Sequence, residues 1–391
     1  MFKRIWHLLG LNINIDPNRV YGLDMLRAFA IISVVITHAT TYTPAGINKI
    51  VEAIYIDGVS IFFVLSGFLI GLILLKTMSE GNLNFYTLIN FWWRRWLRTI
   101  PAYYIILSAV IISYNYNKPP GPTFKRYYFF AQNLFTTHPG FFIETWSLSV
   151  EEWFYLLIPL LFYSFIKYFN IKISTSVLII SILVIAFSTF LRIERYFDNL
   201  PITPFKRDFI IKLQVLTRLD NIMYGVLAAY ISYYHGAIWV KNKGTKLITG
   251  ICILLLNKLL TQLPQTYFLP FYTTVLTFTF NAIGTALLLP YLSNYKTGTG
   301  TFYKIITYIS VISYSMYLIN LTPMQDYIIP FINKNMLGFV INGGILKHID
   351  LAIMFILTIT LSIYSFKFIE SPFIKLRNKV TFGKNKTVPA I

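Results

Sequence analysis

The sequence predicts an all-α integral membrane protein: a bundle of about ten transmembrane helices with both termini cytoplasmic. Three observations predict it. Of 391 residues, 56% are hydrophobic and only 13% are charged, whereas a soluble domain carries about a quarter charged residues. Aromatic residues reach 18%, with 34 Phe and 28 Tyr, an excess suited to chains whose Tyr and Trp line the lipid–water boundary. The apolar residues fall in consecutive runs long enough to cross ~30 Å of hydrocarbon, which takes roughly 20 residues. The net charge of +19 does not point to nucleic acid, because Lys and Arg are scattered through short loops between the runs. Positive charge in such loops is a topology signal. The single cysteine, Cys252, lies in an apolar run, so neither a disulfide framework nor a Cys-based zinc site is expected. No metal site is predicted.

Ten spans are read in order: 23–42, 54–75, 97–116, 147–168, 174–191, 211–233, 246–262, 270–292, 303–323 and 349–369. The fifth is short, and the seventh contains Lys258. They divide the chain into a cytoplasmic tail (1–22), a membrane domain (23–373) and a basic cytoplasmic tail (374–391). No small-residue cleavage site follows the first span, so no cleavable signal peptide is expected. With the N-terminus inside, the basic segments that face the cytoplasm are the tail with Lys3, Arg4 and Arg19, the loop 76–96, the turn near Lys167 and Lys172, the loop 234–245, the loop near Lys296 and the C-terminal tail. One segment breaks the pattern. The loop 192–210 falls outside yet holds Arg192, Arg195, Lys206 and Arg207; it is either a functional basic patch or a fault in the topology. The outer loop 117–146 contains Pro-Pro-Gly-Pro at 119–122, a rigid turn, and the outer loop 324–348 is the other sizeable one. No internal repeat or soluble domain is visible.

Four stretches carry residues with chemistry. The first span contains Arg27 near its start and His38 near its end, eleven residues apart. At ~100° per residue this is about 20° past three full turns, so both side chains share one helix face, ~16 Å apart along the axis. Asp24, three residues before Arg27, is placed to pair with it. Arg27 can be read as a snorkelling interfacial arginine and His38 as a polar contact to a neighbouring helix. Of the five histidines, however, only His38 falls inside a span, where ionisable residues are costly and point to function. The stretch 144–159 brings Glu151 and Glu152 into the fourth span. Adjacent helix positions point ~100° apart, so at most one of them faces a given site squarely. A carboxylate beside an imidazole could fix its tautomer and raise its basicity, as a general base requires.

The stretch 91–104 holds Arg94, Arg95 and Arg98, with Arg94 and Arg98 on one face. Arginine offers planar, bidentate recognition of phosphate; the alternative is a positive-inside signal flanked by interfacial Trp. The stretch 57–71 begins at Asp57 and contains Ser66 and Gly67-x-x-x-Gly71, a spacing of small residues that lets helices approach closely. Arg218 and Asp220, near the start of the sixth span, read as a structural ion pair or as substrate contacts.

Together these motifs resemble the acyltransferase-3 family of bacterial membrane acyltransferases, the group that includes O-antigen and other polysaccharide O-acetyltransferases. The resemblance covers roughly residues 20–375. It is carried by Leu23-Asp24-Met25-Leu26-Arg27 with His38, by Phe-Phe-Val-Leu-Ser-Gly-Phe-Leu at 62–69, and by Arg94-Arg95, Arg98 and Pro101-Ala102-Tyr103. Trp-Ser-Leu-Ser-x-Glu-Glu-x-Phe-Tyr at 146–155 and Phe-Ile-Glu-x-Pro at 368–372 complete it. The chain departs from the family at Met25 and Ala28, where Gly is frequent, and at Asn320, where His is frequent, so no role of that histidine carries over.

The resemblance implies acyl-CoA, in particular acetyl-CoA, as a cytoplasmic co-substrate rather than a tightly bound cofactor. Arg27, Arg94, Arg95 and Arg98 would hold its phosphates. His38 would be the general base or an acyl carrier, oriented by Glu151 or Glu152. Asp57, Trp146, Arg218 and Asp220 would contact the acceptor, a sugar hydroxyl of a lipid-linked or cell-surface glycan. The expected location is the bacterial cytoplasmic (inner) membrane. Many relatives add a soluble esterase-like domain; this chain ends in a basic tail, so transfer is expected to be complete within the membrane part. The competing reading is a polytopic transporter of a saccharide or lipid-linked intermediate. Oligomeric state is not legible in the sequence.

Overall fold

The computed structural model describes residues 18–43, 45–79, 84–117, 124–263, 269–337, 343–377 and 379–382. The chain is an all-α, multi-pass membrane protein, and among the described residues nine helices are long and apolar enough to cross a bilayer. Helices suit that environment because each satisfies its own backbone hydrogen bonds where water is absent. The principal ones are α1 (Tyr21–Ala39), α2 (Gly58–Ser79), α3 (Phe85–Asn117), α4 (Trp146–Lys167), α5 (Ile173–Asp198), α6 (Leu219–Tyr234), α7 (Lys243–Gln262), α8 (Thr277–Leu292), α9 (Gly300–Ile319), α10 (Gly343–Ser365) and α11 (Ser371–Arg377). The 119–122 turn, most of the N-terminal tail and the end of the C-terminal tail lie outside the described residues.

Three expected elements differ. The sixth span, read as 211–233, is not one long helix. A π-turn at Asp208–Lys212 and an irregular stretch precede α6, which has only 16 residues, or ~24 Å. Polar side chains compete with the backbone here: the Thr217 hydroxyl donates to the Ile211 carbonyl at 2.5 Å. The fifth span is longer than expected, since α5 has 26 residues and carries Arg192 and Arg195 inside the helix. The third begins earlier, so Arg94 and Arg95, read as part of the loop 76–96, stand with Arg98 on the 33-residue α3.

The chain forms two compact units. Unit 1 comprises Met1–Tyr55, Trp93–Gly121 and Lys296–Val380; unit 2 comprises Ile56–Trp92, Pro122–Tyr295 and Thr381–Ile391. In unit 1, α9 packs on α1 and α10, and Ala39, Ile319, Met324, Ile329 and Met354 form a buried cluster. In unit 2, α6 packs on α2 and α5, and α7 on α8. The α2–α6 crossing is set by small residues. A Cβ on Gly67 would lie 1.9 Å from the Ile222 carbonyl oxygen, and one on Gly225 would lie 2.1 Å from that of Val64. The predicted Gly67-x-x-x-Gly71 face is thus matched by Gly225-x-x-x-Ala229 on the opposing helix.

In the basic segment 192–210, Arg192, Arg195 and Arg207 each find a partner within unit 2. Arg192 and Asp220 are both fully buried and 2.7 Å apart. Arg192 also donates to the Thr217 carbonyl at 2.7 Å and to the hydroxyls of Thr189 and Thr279 at 3.0 and 3.1 Å. Arg195 donates to the Ile210 carbonyl at 2.8 Å, and Arg207 pairs with Asp208 at 3.1 Å. Asp220 therefore answers Arg192, not Arg218 as the sequence suggested. In the segment before α4, Tyr127 donates to the Phe141 carbonyl at 2.6 Å. The buried His138 accepts from the Gly140 amide at 3.1 Å, and burial pushes its pKa down to about 4.

Three outcomes follow for stability. Gly67→Val should force α2 from α6 and destabilise the fold by about 1–3 kcal/mol or more, read as a lower melting temperature in detergent. Asp220→Ala, which strands a buried guanidinium, should cost about 3–5 kcal/mol, whereas the double change Arg192→Met with Asp220→Leu should recover much of that. The unfolded chain takes up the His138 proton from about pH 6.5 downward and the folded chain only near 4. Stability from this residue should therefore be full above pH 6.5 and fall by ~3 kcal/mol as pH drops to about 4. His138→Phe should flatten melting temperature against pH in that window.

Candidate active site

The N-terminal end of α1 is fastened before any reactive group is reached. Asp24 is buried and accepts from Arg19 Nε at 2.9 Å, with a second Arg19 nitrogen on its other oxygen. The Ser310 hydroxyl of α9 donates to the same carboxylate at 2.7 Å. The expected pairing of Asp24 with Arg27 gives way to Arg19, which folds back over the first turn of the helix. Arg27, half-buried, instead lies in the field of other arginines: Arg98, Arg19 and Arg95 act on it, with Asp24 as the opposing charge.

That field has a wider source. Arg94, Arg95 and Arg98 of α3 all act on Arg377 of α11, and Arg98 acts on Glu370. Glu370 is buried at the end of a π-turn, Phe366–Glu370, that joins α10 to α11. The Ser315 hydroxyl donates to its carboxylate and lies 2.8 Å from Ser365 Oγ. Tyr314 ties α9 to α3 by donating to the Thr99 carbonyl at 2.8 Å. Unit 1 thus gathers the guanidiniums of Arg27, Arg94, Arg95, Arg98 and Arg377, with Arg95 and Arg98 acting on both Arg27 and Arg377. Like charges brought together repel unless an anion joins them, and planar guanidiniums suit phosphate oxygens. Arg377 was read from the sequence only as tail charge.

At the other end of α1, His38 is half-buried. Its Nδ1 lies 2.5 Å from Asn320 Oδ1. Asn320 is fully buried, and its amide nitrogen donates to the carbonyls of Met316 and Tyr317 at 2.8 and 2.9 Å. The Gln325 amide donates to the His38 carbonyl at 2.6 Å. Sequence reading gave Asn320 no role. Tyr21 packs on Tyr303 near the start of both helices, and the same offset of 282 residues pairs His38 with Asn320 at their ends, a register that only the structure shows. The helices α1 and α9 run parallel, in register.

The remaining sequence candidates lie in unit 2. Glu151 accepts from the Ser66 hydroxyl at 3.0 Å, and Tyr155 donates to Ser66 at 3.1 Å. Glu152 is buried beside it on α4. Asp57 caps α2: it accepts from the amides of Val59 and Ser60 at 3.1 and 3.2 Å and from the Ser60 hydroxyl at 2.6 Å. Arg218 donates to Ser60 Oγ at 2.9 Å and lies 3.7 Å from Asp57. Its fully buried guanidinium packs over Phe278, Trp146 and Phe63, 4.0, 5.4 and 5.7 Å from the ring centroids. Trp146, Arg218 and Asp220 are thus buried in hydrogen-bonded and ring contacts within unit 2, with Asp57 half-buried beside Arg218.

Comparison with known proteins decides the family. Residues 20–367 match the family profile described as an acyltransferase domain, acyltransferase-3. The chain belongs to this family. It is 32% identical over 166 residues to the peptidoglycan O-acetyltransferase OatA of Listeria monocytogenes, a stretch covering 38% of this chain and 25% of that protein. It is 32% identical over 162 residues to the O-acetyltransferase OatA of Staphylococcus aureus, covering 37% and 25%. The match thus spans about a quarter of the length of these curated relatives. No solved structure matches.

Within this acyltransferase fold, four of the motifs noted in the sequence have a definite structural job. The Leu-Asp-x-Leu-Arg segment anchors α1 through Asp24. Phe-Phe-Val-Leu-Ser-Gly supplies Ser66 and the close crossing at Gly67. Trp-Ser-Leu-Ser-x-Glu-Glu supplies Trp146 over Arg218 and Glu151 against Ser66. Phe-Ile-Glu-x-Pro is the π-turn that delivers Glu370 and leads to Arg377.

Proposed function

We propose that this protein is a membrane O-acetyltransferase of the bacterial cytoplasmic membrane that moves an acetyl group from cytoplasmic acetyl-CoA to a sugar hydroxyl of a cell-envelope glycan. The observation that carries the reading is α1 itself, with a guanidinium cluster about Arg27 at one end and a hydrogen-bonded imidazole, His38, at the other. The two residues are ~16 Å apart along the axis, a distance comparable to the arm that separates the phosphates of CoA from its thioester. The family, and the names of the two OatA relatives, support the reaction class.

In this reading Arg27, Arg94, Arg95, Arg98 and Arg377 hold the CoA phosphates. His38 Nε2 accepts the proton of the acceptor hydroxyl as its oxygen attacks the thioester carbonyl. The new C–O bond forms, the C–S bond breaks, and CoA leaves as a thiolate that takes the proton back from the imidazolium. The ester and CoA thiol are the products, and no other reactant is needed. Both termini are assigned to the cytoplasmic side, so that the basic tails and the arginine cluster meet the donor there.

Three measurements test the proposal. Mass spectrometry of envelope glycans from cells with and without the gene should show a loss of acetyl-sized increments. His38→Ala, folded and in the membrane, should lower transfer by about 10²–10⁴-fold while acetyl-CoA binding persists; transfer at the wild-type rate would refute the role. Arg98→Gln or Arg27→Gln should weaken acetyl-CoA binding by about 10–100-fold, as expected for one charge-assisted contact, with the change appearing in KM before kcat.

A further inference from the structure

We propose that Asn320 is a positioning residue: it holds His38 in the Nδ1–H tautomer, so that Nε2 carries the lone pair on which transfer depends. The proposal rests on the reading of His38 as the reacting base and adds to it the state in which the ring is held. Asn320 is fully buried at the end of α9. Its amide nitrogen donates to two carbonyls, Met316 at 2.8 Å and Tyr317 at 2.9 Å. Those two bonds use both amide hydrogens. The oxygen is therefore the atom that meets the ring, 2.5 Å from Nδ1. A carbonyl oxygen only accepts, so Nδ1 must donate. In a neutral imidazole the proton on Nδ1 leaves Nε2 bare.

The geometry around the pair is fixed on both helices. Asn320 follows the last residue of α9 and is the point where helical geometry changes to the π-turn Thr322–Ile328. Gln325 on that turn donates to the His38 carbonyl at 2.6 Å, and Thr41 donates to the Gln325 side-chain oxygen at 3.2 Å. One short segment thus holds both the ring and the backbone of His38. The chemistry of an amide also differs from that of a carboxylate, such as the Glu151 or Glu152 that the sequence reading placed beside the ring. A carboxylate would orient the ring and also stabilise its charged form. Asn320 orients the ring without adding a charge that would favour the imidazolium. A histidine at position 320 could accept from His38 only through its own unprotonated nitrogen, and would lose that ability in acid.

The test uses the full-length protein in lipid, labelled with ¹⁵N-histidine, and the His38 signals are assigned by their loss in His38→Gln. Wild type should show a protonated Nδ1 and an unprotonated Nε2. Asn320→Leu should move His38 towards the Nε2–H tautomer favoured in water and lower kcat on the order of 10²-fold, with KM for acetyl-CoA unchanged. Asn320→Asp should keep the tautomer and move the acid limb of the pH–rate profile up by about one unit or more. Asn320→His should keep activity at high pH and lose it more steeply in acid than wild type. Should Asn320→Leu fail to fold, the wild-type spectrum and Asn320→Asp decide the matter. An Nε2–H tautomer in wild type, or an unchanged acid limb in Asn320→Asp, would overturn the proposal. Retained transfer in His38→Ala would instead refute the base, leaving the spectrum to report the tautomer separately.

Discussion

A bilayer offers no water to a stranded polar group, and that constraint organises this molecule. Among the described residues, several ionisable side chains that enter the protein interior are met by groups arranged for them. Arg192 in unit 2 is answered by Asp220, two threonine hydroxyls and a carbonyl. Asp24 in unit 1 is answered by Arg19 and Ser310. Glu370 is answered by Ser315. Such satisfaction is what lets a charge stay in low dielectric at all, since an unpartnered ion there costs several kcal/mol. The arrangement of polar side chains is therefore as much a determinant of the fold as the apolar spans, and the glycine crossing of α2 and α6 is the apolar counterpart.

The same constraint explains how much the sequence disclosed. Apolar runs are read directly, because crossing hydrocarbon is a property of a run by itself. The Arg27–His38 relation was legible for a similar reason: both residues stand on one helix, so their geometry follows from eleven steps of known rotation. The failures share a cause. The short α6 and the long α5 depend on Thr217 binding Ile211 and on Arg192 finding Asp220. The first bond is local but irregular, and the second joins two helices. A hydropathy window sees neither. Arg192 looked like a loop charge because its partner lies 28 residues on.

The site divides along the same line. Arg94 and Arg98 were legible as a face, whereas Arg377 joins them only through the turn at Phe366–Glu370. The frequent family histidine at position 320 drew attention to an absence, and the side chain that stands there turns out to hold His38. A departure from a family pattern is thus weak evidence that a function is missing. The physical requirement at that point is an acceptor of fixed orientation, and an amide whose nitrogen is bound to two carbonyls meets it as well as a ring nitrogen does, over a wider range of pH.

The arginine cluster carries the argument one step further. Arg95 and Arg98 add repulsion to both Arg27 and Arg377 in unit 1, and like charges held together raise the energy of the fold. An anion with several charges removes that repulsion and adds bidentate hydrogen bonds. Binding and stability at this end of the molecule are then linked: whatever occupies the cluster stabilises the folded chain in proportion to the logarithm of its concentration. The effect is partly buried and so only partly screened by salt. If the cluster binds the proposed donor, no pocket shaped in advance is required, since the field of the arginines would select for charge and the length of α1 for reach. That combination would favour a ligand with phosphates at one end and a reactive group on a long arm over a compact anion of equal charge.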